Sequence, residues 1–112
     1  MVKNLGARRD RYLADDIPIR LGGIAANLAR VASSASNPAN RPAVLDMIEE
    51  SKWFIEWAAP TLDIDVAARL AEIQVSLAML ESRINQGMAA SEIADQAASW
   101  SEEILNMSGL LD

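Results

Sequence analysis

Residues 66–87 read VAARLAEIQVSLAMLESRINQG, and the spacing of their large apolar side chains decides the architecture. Val66, Leu70, Ile73, Leu77, Leu80 and Ile84 step by four and three, the interval that gathers side chains on one side of an α-helix. Gly87 follows the last of them, and glycine most readily takes the left-handed conformation that ends a helix. The same stepping recurs on both sides of this stretch. Ile17, Leu21, Ile24, Leu28, Val31 and Ala35 form one such seam; Ile93, Ala97, Trp100, Ile104 and Met107 form another. No run of alternating β-branched residues occurs anywhere, so no strand is expected.

The residues between the seams supply starts and stops. A first helix opens at Asp15 or Asp16, tolerates Pro18 in its opening turn, and is broken by Ser36, Asn37 and Pro38. A second is capped by Asn40, carries Pro42 in its first turn and stops at Pro60. A third opens at Thr61 or Asp63 and runs to Gln86. A fourth is capped by Ser91 and reaches about Ser108, before Gly109. Shallow-angle seams joined by short connections predict an all-α fold. Its form is a four-helix up-and-down antiparallel bundle over residues 15–112, with a short basic N-terminal arm over residues 1–14. A chain of 112 residues is long enough for one core, and 51% apolar against 23% charged residues separates it from disordered chains.

Gly22 and Gly23 interrupt the first helix and cost up to about 1 kcal/mol each relative to alanine. With Ala25, Ala26, Ala29 and Ala32 they thin one flank, which predicts close packing against a neighbouring backbone. No strand precedes them, so they do not read as a phosphate cradle.

The absent residue types limit the chemistry. Without cysteine there is no disulfide, no thiolate and no Cys-bound metal; without histidine there is no imidazole base and no Glu-x-x-His di-iron pattern. Carboxylates remain. Asp46, Glu49 and Glu50, and separately Glu92 and Asp95, have helical spacings that suit magnesium, the metal of all-helical nucleotide hydrolases. The two groups lie on different helices, however, and on faces that read as outward. The expectation is therefore no catalytic residue, no cofactor and no metal site. The stretch MVKNLGARRDRYLADD is too polar for a signal peptide and no apolar run approaches the roughly 20 residues of a membrane span, so a cytoplasmic location is expected.

Charge is uneven. Up to Arg41 there are seven basic residues (Lys3, Arg8, Arg9, Arg11, Arg20, Arg30, Arg41) against three acidic; the remainder holds three basic and thirteen acidic, for a net −6. Such an arm can dock on its own body, on a second copy or on a polyanion.

Two surfaces carry more apolar area than a four-helix monomer needs. In ESKWFIEWAA, residues 50–59, Trp53 and Trp57 fall opposite the seam of Val44, Ile48, Ser51, Ile55 and Ala59, among Asp46, Glu49, Glu50 and Glu56. Either the N-terminal segment covers them with Val2, Leu5, Tyr12 and Leu13, or a second chain does. In the third helix Ala68, Ala71, Val75, Ala78 and Met79 make a second apolar face. These features point to a noncatalytic interaction module, a small regulator or adaptor, that forms a homodimer through Trp53, Trp57, Ala71, Val75 and Met79. Arg8, Arg9 and Arg11 would then meet carboxylates beside the tryptophans. The alternatives are a nucleic-acid regulator using Lys3, Arg8, Arg9 and Arg11, which so few phosphate contacts would bind weakly, and a magnesium-dependent hydrolase.

Overall fold

Five α-helices form in the computed structural model, which describes residues 4–111: α1 (Leu5–Leu13), α2 (Ile17–Ser34), α3 (Arg41–Ala58), α4 (Ile64–Asn85) and α5 (Ala90–Ser108). The fold is all-α, and no strand occurs among the described residues. The expected count of four helices is one too few, because most of the basic arm is itself helical. Nine residues are too short to hold a helix by local propensity, so α1 depends on its packing partner, which the charge-rich sequence conceals. Val2 and Lys3 lie outside the described residues.

Packing follows the seams. α2 lies against both α3 and α5, and α4 packs on α3 and touches α5 more sparsely. Leu21, Ile24, Leu28 and Val31 of α2 meet Val44, Ile48 and Ile55 of α3, Leu70, Ile73, Leu77, Leu80 and Ile84 of α4, and Ile93, Ala97 and Ile104 of α5 in one buried cluster. Departures are confined to seam ends and to one large ring. Ile17 is 39% exposed, Trp100 and Met107 are half-buried, and Ala58 rather than Ala59 completes the α3 seam.

Small residues bring α2 and α5 together: the Ser101 hydroxyl donates to the Ala25 carbonyl at 2.7 Å. Gly22 and Gly23 do not face a neighbouring backbone as the sequence suggested. A methyl group on Gly22 would meet the end of the Leu110 side chain at 2.7 Å, and one on Gly23 would meet the Tyr12 ring at 3.8 Å.

Helix ends divide into those set by glycine and those set by turns. Gly87, at φ +95°, closes α4 with two characteristic bonds, Met88 N–H to Arg83 O at 3.0 Å and Gly87 N–H to Ile84 O at 3.1 Å. Gly109, at φ +81°, ends α5. At the entry to α3 a 3₁₀ turn over Pro38–Asn40 intervenes, and the Asn37 side chain, not Asn40, accepts from the Ala39 N–H at 3.0 Å. α5 opens after Ala89 instead of Ser91, so a side-chain cap is not what starts it.

Where helices meet less closely, ion pairs span the gap. Arg69 of α4 grips Glu103 of α5 in a two-pronged contact, with Nη2 to Oε1 at 2.8 Å. The guanidinium hydrogen bonds hold the Glu103 carboxyl below its usual range. No helix among the described residues is long and apolar enough to cross a membrane.

Candidate functional site

The aromatic residues of α3 form a row that two different surfaces share. Trp53 and Trp57 stand one helical turn apart, with ring centroids 5.9 Å apart and planes inclined by 27°. Phe54 lies 6.0 Å from Trp57 on the other side. The Tyr12 ring of α1 stacks flat on Phe54, at 4.2 Å and 2°, and tilts against Trp57 at 6.1 Å. The cover for the two indoles is thus divided. α1 of the same chain meets Trp57, whereas Trp53 faces α4.

α1 is fixed in place by polar contacts at its middle and its C-terminal end. The Tyr12 hydroxyl donates to the Arg20 carbonyl at 2.7 Å, and the ring is only 7% exposed. Burial pushes the phenol pKa far up; the Arg20 charge opposes that rise and the Asp15 charge adds to it. Arg20 in return donates to the Leu13 and Asp15 carbonyls, each at 2.7 Å, and satisfies the C-terminal end of α1. Farther along, Arg8 pairs with Glu50 of α3 at 2.7 Å. Glu50 also accepts from the buried Asn27 of α2 at 3.0 Å, whose oxygen takes a hydrogen bond from Arg30. Of the three arm arginines expected to meet acidic residues, Arg8 does so within its own chain, and Arg9 and Arg11 are exposed.

On the far side of the row, Trp53 borders a groove of about 400 Å³ between α3 and α4, lined also by Glu49, Lys52, Glu56, Gln74, Val75 and Ala78. Lys52 ties its walls together, binding Glu49 at 3.0 Å and Glu81 of α4. The Lys52 hydrogen bond draws the Glu49 carboxyl below its ordinary range against the opposing effect of burial. Burial works to lower the pKa of Lys52 itself, but its bonds to Glu81 and Glu49 outweigh that and raise it. Gln74 donates to the Lys52 carbonyl and to Glu56, both at 3.1 Å, which holds α4 in register with α3.

From this groove an apolar stripe continues over the outer side of α4. Val75 is 61% exposed and Met79, one turn later, 51%; Ala71, one turn earlier, is exposed as well. The structure therefore lines one groove with Trp53 and Val75, continues the stripe along α4 to Ala71 and Met79, and sets Trp57 against both Trp53 and the Tyr12 ring of α1. Sequence reasoning missed Phe54 as the seat of Tyr12, and Lys52, Gln74 and Glu81 as the polar contacts that tie α3 to α4 at the groove. The three-and-four stepping of Leu5, Arg8 and Tyr12 was the available signal for the first. Nothing in the spacing announces the second, because those contacts cross between helices.

The acidic groups singled out in the sequence differ in their surroundings. Glu49 and Glu50 each bond a cation, Asp46 is exposed, and Glu92 and Asp95 are exposed on α5. Among the described residues no three carboxylates approach closely enough to share a metal ion. Comparison with known protein families, with curated proteins and with solved structures gives no match to this chain.

Proposed function

We propose that the protein is a noncatalytic helical interaction module, a small cytoplasmic regulator or adaptor, that works as a homodimer through its α3–α4 face. In this proposal α2 to α5 make an up-and-down antiparallel bundle and α1 braces its side. The carrying observation is the pair Val75 and Met79, mostly exposed on the outside of a helix whose other side buries Leu70, Ile73, Leu77, Leu80 and Ile84. Single exposed apolar residues are ordinary, but this stripe runs into a groove bordered by a half-buried tryptophan, the residue type most enriched among interface anchors. A two-fold axis lets one such patch cover its own copy. The nucleic-acid alternative draws less support, since Glu50 already engages Arg8.

Val75→Glu tests the proposal. Val75 makes little contact inside the chain, so the variant should keep its helicity by circular dichroism and lose the dimer by light scattering. A variant with the same mass as the native protein would remove this face from the interface.

A further inference from the structure

Resting on the dimer proposed above, we infer its register: α4 packs antiparallel on its own copy across a two-fold axis near Leu77. Val75 of each chain then lies on Met79 of the other, and Glu72 pairs with Arg83 of the partner subunit. The occupant is a second copy because the exposed residues of this face pair with themselves across a two-fold axis, apolar with apolar and acid with base.

At about 100° per residue, Val75, Met79, Glu72 and Arg83 occupy an arc of roughly 80° on α4, turned away from the buried seam. All four are exposed. In an antiparallel pair related by a two-fold axis, like flanks face each other, so the flank holding Glu72 and Arg83 meets the same flank of the copy. Pairing requires residues placed symmetrically about the axis. Val75 and Met79 are centred on position 77, and Glu72 and Arg83 midway between 77 and 78. The two centres differ by about half a residue, roughly 0.75 Å of helix rise. One axis thus joins apolar to apolar and acid to base, twice over. Centring the axis on Val75 instead would set Glu72 against Ala78 and Arg83 against Ala67, which joins charges to alanines. Within the chain Glu72 has one loose contact, Arg69 at 3.9 Å, and Arg69 is already held by Glu103, so Glu72 is available to a stronger cation. The opposite flank, with Ala71 and Ala78, leaves room for the two Trp53 side chains beside the helix pair.

Charge exchange tests this register. Glu72→Arg and Arg83→Glu are made singly and together, and dimer dissociation is measured by sedimentation at low salt, with helicity checked by circular dichroism. Each single change turns two attractions into two repulsions and should weaken the dimer about tenfold, while the double change should return it to within about threefold of native. Weakening by one variant only, or no recovery in the double, would overturn the register and leave dimerisation intact. A native chain that never dimerises would overturn both.

Discussion

Tyr12 joins an apolar and a polar contact in one side chain, its ring on Phe54 and its hydroxyl on the Arg20 carbonyl. The two can be separated. Tyr12→Phe keeps the stack and removes one hydrogen bond, which should lower stability by about 1 kcal/mol at neutral pH. The same variant isolates an alkaline effect. The folded phenol pKa is raised by burial above the unfolded value of about 10, so the folded state retains its proton where the unfolded chain loses it. That contribution is complete below pH 10 and is lost as pH rises beyond it. Denaturant titrations should therefore show the native protein losing stability more steeply than Tyr12→Phe above pH 10, and parallel curves would contradict the assignment. At this scale the core was legible: Leu70, Ile73, Leu77, Leu80 and Ile84 are all buried, because helical periodicity alone determines which side they share. Tyr12 was legible only as one possible cover, since its seat depends on where α1 crosses α3.

Among the elements, glycine was read from sequence more successfully than the polar caps. Gly87 and Gly109 end their helices because a left-handed residue is a backbone requirement, independent of neighbours. Asp16, Asn40 and Asp63 stand at the helix starts read from the sequence, but none of them makes a side-chain capping bond to the backbone. α1 escaped detection for a related reason: its stability comes from Tyr12, Arg8 and Arg20 contacts with other elements. The sparse α4–α5 junction is spanned by Arg69 and Glu103, both more than a third exposed, which makes their pair worth less than about 1 kcal/mol. Glu103→Gln should lower stability by that small amount near neutral pH. Because Arg69 depresses the folded pKa of Glu103, the contribution is present above the unfolded value of about 4.3 and disappears as pH falls through the lower folded value. Native and variant stabilities should converge in acid and in high salt; a difference that persists there would assign the effect to packing.

For the whole molecule, the balance of apolar surface separates what one chain satisfies from what it leaves open. The seams close on each other and α1 closes over Phe54 and Trp57, but Val75, Met79 and the Trp53 groove stay outside. Sequence periodicity identified Val75 and Met79 as surplus because they fall off the α4 seam. It could not assign Trp53 and Trp57 to different neighbours, since both share one side of α3 and only the placement of α1 and α4 divides them. Self-association is the central claim, and sedimentation equilibrium of the native chain at tens of micromolar tests it most directly. The predicted mass is twice 12.1 kDa, falling towards 12.1 kDa on dilution. A constant mass of 12.1 kDa across that range would contradict it.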